Sequence, residues 1–135
     1  MHTIITLRPI EKQDLEWARQ LRNANKTYFF DSREITRTAH AQWFASRTEP
    51  FFVIEYNGVP AGTIALRKIR EGYEIQNVLI DEVYRRKGVL KQVMKTIEQQ
   101  CIPPYFVDVL ATNKDAIQAY SRLGFSLFSL RLRKE

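Results

Sequence analysis

Two stretches of this chain carry residue types that could do chemistry. The first is Tyr84-Arg85-Arg86-Lys87-Gly88-Val89-Leu90, a basic turn with one glycine, set between an apolar strand and an amphipathic helix. A helix start offers unpaired N–H groups and roughly half a positive charge. An anionic phosphate placed there accepts several of those N–H groups at once. Gly88 lets the backbone approach without a Cβ in the way, and Arg85, Arg86 and Lys87 add charge around it. Taken alone, the turn reads equally well as a solvated basic surface. The second stretch, Asn113 to Phe125, lies about 25 residues on, counted from Gly88 to Asn113. Asn113 caps a helix, Tyr120 sits on it, and Gly124 ends it at a left-handed position from which Phe125 folds back onto Ala119 or Tyr120. Arg122 either reaches a phosphate or lies on the surface.

The elements that must position these residues follow from pattern. Thr3 to Arg8 reads as a strand ended by Pro9, and Glu11 to Asn23 as a helix with Leu15, Ala18 and Leu21 on one face. Asn25 to Thr36 is irregular and aromatic. Thr38 is the expected N-cap of a short helix through Ser46, burying Trp43 or Phe44. Phe51 to Tyr56 is a strong strand. Asn57-Gly58 signals a hairpin, since both turn positions need positive φ. Val59 to Lys68 returns, and Tyr73 to Asp81 is a third long strand. Gly88 to Gln100 is a helix whose apolar stripe is Val89, Val93, Met94, Ile97 and Cys101. Pro103-Pro104 stops it. Tyr105 to Ala111 is a short apolar strand, as in a sheet covered on both faces, and Ser126 to Arg131 a final strand. An antiparallel meander feeding a β-α-β crossover makes an α+β fold, with helices on both faces of a mixed, mainly antiparallel sheet.

Composition bounds the rest. A chain of 135 residues, 44% apolar and 12% aromatic, fits one folded domain over residues 1–135. No repeat, low-complexity segment or linker is visible. No apolar run nears the ~18 residues that would span a bilayer. Met1-His2-Thr3-Ile4-Ile5 lacks the charged and apolar regions of a signal peptide, and the single cysteine, Cys101, cannot form an internal disulfide. These features point to the cytoplasm, with no membrane partner. No metal site is expected. The net charge is +6. It gathers at Arg85, Arg86, Lys87, Lys91 and Lys95, and again at Arg131, Arg133 and Lys134. The first cluster suits a phosphorylated cofactor as well as a nucleic-acid backbone.

Together and in this order, the basic turn and the tyrosine helix resemble the acetyl-CoA-binding core of the GNAT superfamily of N-acetyltransferases. That family's turn pattern is Gln/Arg-x-x-Gly-x-Gly/Ala. Arg85 to Gly88 match it, while Leu90 stands where a small residue is usual. The resemblance therefore implies a phosphate contact at Leu90 that is weakened or shifted, made by its backbone N–H. The second pattern is met by Asn113, Ala116, Tyr120 and Gly124-Phe125. By resemblance, the strand before the turn splays from its neighbour, and main-chain groups of Leu79, Ile80 and Val83 hold the pantetheine arm like an added strand. Arg85, Arg86, Lys87, Gly88, Val89 and Leu90 hold the phosphates, and Asn113, Ala116 and Tyr120 complete the cofactor site. Tyr120 is implied as the general acid: a phenol of pKa near 10 suits a thiolate leaving group near 8.5. Glu74, with Ile75 and Ile80 following, resembles the general base of the family's histone acetyltransferases. A solvent-facing strand glutamate reads the same way, and many members use water and backbone carbonyls instead.

Leu21-Arg22-Asn23, the aromatic loop, Ile35, His40 and Trp43-Phe44 are similar to the branch that contains nucleotide-linked amino-sugar and ribosomal-protein N-terminal acetyltransferases. Arg22, Asn23 and Phe30 are then acceptor-binding residues, although Arg22 and Asn23 also read as a helix end and Phe30 as core; His40 reads as structural. The resemblance implies an acetyl-CoA-dependent N-acetyltransferase in which a primary amine attacks the thioester directly. The amine belongs to a nucleotide-linked amino sugar, a protein N-terminus or another small-molecule or peptide acceptor. Two alternatives stand beside it. One is a catalytically weak GNAT domain that binds CoA for regulation. The other is a basic nucleic-acid-binding module, which needs bases among exposed sheet aromatics, where Tyr105-Phe106-Val107-Asp108 supplies an acid; no nucleic-acid partner is expected. Counted to Leu132, the final strand is followed only by Arg133-Lys134-Glu135, where the family usually has one strand more, so the C-terminus is expected to be short. Its apolar edge (Phe125, Leu127, Phe128, Leu130) invites pairing with a second copy in a homodimer, or is protected by its basic end in a monomer.

Overall fold

The computed structural model describes residues 2–135. Nine regular elements follow one another: β1 (Ile5–Pro9), α1 (Leu15–Ala24), α2 (Arg37–Ser46), β2 (Phe51–Tyr56), β3 (Val59–Ile69), β4 (Gly72–Ile80), α3 (Val89–Gln100), β5 (Tyr105–Val107) and α4 (Lys114–Arg122). The strands form one sheet in the order β1-β2-β3-β4-β5. The first three pairings are antiparallel, and β4–β5 is parallel across the α3 crossover. This is the α+β sheet that the sequence pattern predicts. No helix among the described residues is long and apolar enough to cross a membrane.

Alternation along the central strands sends side chains to two cores. Ile54, Ile64 and Ile75 meet Val89, Val93, Met94 and Ile97 of α3 on one face. Val53 and Ala65, their neighbours in sequence, meet Ala18 of α1 and, at the edge, Trp43 and Phe44 of α2 on the other. The period of two in the strands and the stripe on α3 thus account for both layers. Asn57 and Gly58 turn the β2–β3 hairpin with φ of 50° and 82°. Arg8 ties the N-terminal strand down: its guanidinium donates to both oxygens of buried Asp14, at 2.7 and 2.9 Å, and to Glu55 at 3.0 Å.

Three expectations about the elements are corrected. Helix α2 is capped by Thr36, whose hydroxyl accepts from Ala39 N, so it begins two residues before the Thr38 start. Strand β5 stops at Val107 instead of Ala111. Its ladder with β4 covers only Tyr73, Glu74 and Ile75, after which the strands part. Residues 126–131 form no strand among the described residues. A three-residue edge strand offers little ladder to extend, and Leu127, Phe128, Leu130 and Leu132 stay exposed. Phe128 touches Phe106 edge-on and Arg131 lies over the Phe30 ring, so this segment runs beside the mouth of the cleft described next.

Candidate active site

The parting of β4 from β5 opens a cleft of about 420 Å³. Its walls are β4 from Glu74 to Leu79, the chain from Phe106 to Leu110, one side of α4 and the aromatic loop. A bulge shapes the β4 wall. Ala65 faces Gln76 and Thr63 faces Leu79, so β4 carries one residue more than β3 here. Asn77 takes φ of 53° within the bulge, and the Thr63 hydroxyl donates to its carbonyl at 3.0 Å. Asparagine tolerates this left-handed backbone better than most residues. Gly62 lets the strands close below it: a Cβ there would lie 2.2 Å from the Leu79 carbonyl oxygen.

Of the residues expected in the cofactor site, Leu79, Asn113, Ala116 and Tyr120 line this cleft, as do Glu74 and Phe30. Asn113 caps α4, its Oδ1 accepting from Ala116 N at 3.2 Å. Tyr120 is buried beside Phe125, whose ring meets it edge-on at 5.3 Å. Burial pushes the Tyr120 hydroxyl well above the ordinary phenol range, so it stays protonated at neutral pH and keeps a proton with which to donate. No protein acceptor among the described residues hydrogen-bonds it. Glu74 lies in register with Arg67 on β3 and Phe106 on β5. Arg67 Nε sits 2.9 Å from Glu74 Oε1, an ion pair, yet this buried oxygen receives no hydrogen bond. The two observations agree if the N–H is not aimed at the oxygen, and distance alone then defines the pair.

The basic turn lies past the end of β4 and does not line the cleft. Gly88 caps α3 at φ 75°, with open space where a Cβ would stand; its left-handed backbone, not crowding, is what calls for glycine there. No side chain caps α3 and no acid occupies its first turn, so its N–H groups are left for an anion. Val89 is buried and Leu90 half-buried, so at this helix start their N–H groups are what they can offer. Arg86, at φ 62°, and Lys87 are exposed.

Five of the residues expected in the site make contacts of their own within the chain. Arg85 turns away from the helix start: Nη2 donates to Asn25 Oδ1 at 2.6 Å and Nε to the Ile80 carbonyl at 2.9 Å. Ile80 therefore has its carbonyl engaged. The Val83 side chain is exposed and its N–H is directed to Asp81 Oδ1 at 3.3 Å. Arg22 and Asn23 hold the aromatic loop. Arg22 donates to the Arg33 and Asp31 carbonyls at 2.9 and 2.7 Å, with its guanidinium 4.4 Å from the Phe29 ring centre. Asn23 accepts from Ile35 N at 2.8 Å and donates to Ile35 O at 3.1 Å. Their polar groups are satisfied by backbone, so the Leu-Arg-Asn segment works as a clamp on the loop.

Three residues that sequence reasoning passed over matter here. Asn77 makes the bulge; an asparagine inside an apolar strand was the available signal. Buried Asn25 joins Arg85 to the Leu21 carbonyl, which its Nδ2 bonds at 2.8 Å, linking the basic turn to the end of α1. Arg131 reaches the cleft from the C-terminal segment. No sequence signal marked the last two, because their partners are 60 and more residues away in the chain.

The sheet, the splayed β4–β5 pair and the open helix start together define an acyltransferase fold. The family model for the acetyltransferase (GNAT) family matches residues 16–125. The chain belongs to this family, whose acetyl donor is acetyl-CoA. It is 31% identical, over 89% of its length, to an uncharacterized N-acetyltransferase of Methanocaldococcus jannaschii, and it spans 60% of that relative. Among solved structures, a domain from the same organism superposes with a TM-score of 0.79 at 21% identity, covering 93% of this chain and 90% of that one. FdhC, a nucleotide-linked sugar GNAT, gives 0.76 at 18%, covering 94% and 81%. YncA of Salmonella typhimurium, solved with its cofactor acetyl-CoA, gives 0.69 at 19%, covering 93% and 82%. At these identities the structural likenesses are likenesses of fold.

Proposed function

We propose that this chain is an acetyl-CoA-dependent N-acetyltransferase that acetylates a primary amine of a small molecule or peptide by direct attack. The observation that carries the reading is the cleft in which a protonated hydroxyl, Tyr120, and a carboxylate oxygen without a hydrogen bond, Glu74, line one space between splayed strands. Acetyl-CoA supplies the acetyl group as a thioester. The α3 start, Arg86 and Lys87 hold its phosphates, and Gln76 to Val78, which β5 leaves unpaired, face its arm. Arg85 serves this site by fixing the turn. Glu74, directly or through water, takes the proton that the ammonium must lose before attack. A C–N bond forms as the C–S bond breaks, and the Tyr120 O–H donates to the departing sulfur.

Thermal unfolding with acetyl-CoA tests the reading. Ligand at 100 times its Kd adds about 2.7 kcal/mol, and Arg86→Glu removes most of that gain. A melting temperature unmoved by millimolar acetyl-CoA overturns the proposal. Turnover with an amine panel then separates an enzyme from a domain that only binds CoA. The proposal includes a cytoplasmic homodimer. Its contact uses the exposed Leu127, Phe128 and Leu130 beside the short edge strand β5. Sedimentation at micromolar concentration decides it, and a single species at 15.9 kDa rules it out.

A further inference from the structure

Behind the aromatic loop lies a second, smaller pocket of about 150 Å³ between α1, α2 and the sheet. It shares Phe29, Asn77 and Leu79 with the main cleft, so the two adjoin at the β4 bulge. Ala18, Ile35, Trp43 and Phe51 make its walls apolar. A cavity of roughly this volume with apolar walls accepts a benzene-sized group. Nothing charged is free to point into it. Arg22, its only charged lining residue, has its guanidinium bound to loop carbonyls. His40 closes one wall: it is 7% exposed and its ring stacks on Trp43 at 5.0 Å.

Resting on the acetyltransferase reading above, we infer that this pocket is the acceptor subsite, and that the acceptor is an amine whose substituent is a compact, uncharged apolar group of about six to eight carbons. Its amine then lies at the bulge, where the two spaces meet, and its apolar group lies under the loop that Arg22 and Asn23 clamp. An amino acid residue with an apolar side chain at a peptide N-terminus has this chemistry, and so does a free aralkyl amine. A nucleotide-linked amino sugar does not.

The test uses the whole chain with Trp17→Phe, which leaves Trp43 as the sole tryptophan reporter. Phenylalaninamide, 2-phenylethylamine, glycinamide and glucosamine are titrated, and each is assayed for acetylation. The expected result is a change in Trp43 emission with the two aromatic amines alone, and kcat/KM at least about 10-fold above glycinamide, the discrimination that apolar pockets reach. Phenylalaninamide above 2-phenylethylamine assigns a peptide N-terminus; the reverse assigns a free amine. Filling the pocket with Ala18→Leu, or from the loop side with Ile35→Phe if the first variant fails to fold, removes the emission change while the acetyl-CoA thermal shift persists. Acetylation of all four amines at similar rates, with emission unmoved, overturns the subsite and leaves the enzyme. Emission changes without acetylation of any amine keep the pocket and overturn the acetyltransferase reading.

Discussion

The half of the molecule proposed to hold the donor, from β4 to α4, and the half proposed to hold the acceptor, from α1 to α2, use their polar residues in opposite ways. In the donor half the working groups are left open. Among the described residues, the α3 start has no side-chain cap, β4 has no β5 partner beyond Ile75, Tyr120 has no hydrogen-bond acceptor and Glu74 Oε1 receives no hydrogen bond. In the acceptor half the polar residues are consumed. Arg22 and Asn23 bond the backbone of the loop, Asn25 bonds the Leu21 carbonyl and Arg85, and the surface left for a ligand is mainly aromatic and aliphatic. Main-chain recognition needs unpaired groups held at a fixed angle. An apolar pocket needs only shape, so the polar side chains there are free to build the walls.

The largest effect falls where one open group does chemistry. Tyr120→Phe lowers kcat by roughly 10²-fold with little change in acetyl-CoA KM, as loss of one proton donor does. Steady-state kinetics at saturating amine measures it, and equal kcat shows that the sulfur leaves unassisted. Glu74→Gln moves the acid limb of the pH–rate profile and lowers kcat/KM about 10²-fold if the carboxylate takes the proton. An identical profile assigns that proton to water.

The clamp predicts a contrasting signature. Asn23→Ala removes two hydrogen bonds to Ile35 and costs about 1–2 kcal/mol of stability. It raises the acceptor KM several-fold and leaves the acetyl-CoA thermal shift intact. A variant that loses acetyl-CoA binding and keeps acceptor KM reverses the assignment of the two halves.

This contrast also explains what was legible in the chain. The α3 stripe, the Asn57-Gly58 hairpin and the Asn113 cap are local devices, and each reads from neighbours within a few positions. The start of α2 was misplaced because Thr36 and Thr38 are equal caps by type. The Asn23 clamp on Ile35 decides between them, since it holds the residue before Thr36 on the loop, 12 positions from its partner. The alternating apolar residues from 126 to 131 read as a strand, yet a strand needs a ladder, and β5 ends after three residues. In the site, the glycine of the turn and the tyrosine of α4 were legible as types. The engagement of Arg85 by Asn25 and the Asn77 bulge depend on contacts between distant elements, and residue type alone does not specify them.

His40 gives the smallest effect and the cleanest separation of the halves. Burial first, then nearby Arg19 and to a smaller extent Arg22, holds its imidazole below the ordinary histidine value of 6.5, and Glu16 opposes this. The unfolded chain then takes up a proton at a higher pH than the folded one. Stability is full above 6.5, declines as pH falls through the window down to the folded value, and levels off below it. The slope for one group cannot exceed about 1.4 kcal/mol per pH unit. The carboxylates that burial or pairing perturbs act lower down. Asp14 lies below its ordinary 3.8, held there chiefly by Arg8, and Glu16 is lowered to about 2 by Arg19. Their contributions fade only as pH drops below about 4.5. Urea unfolding at pH 7.5 and 5.5 therefore isolates the histidine, and His40→Gln flattens the difference. A slope that survives this substitution places the titrating group elsewhere. An apolar amine bound in the pocket shields the ring further and steepens the loss on acidification, whereas acetyl-CoA, bound in the other half, leaves it unchanged.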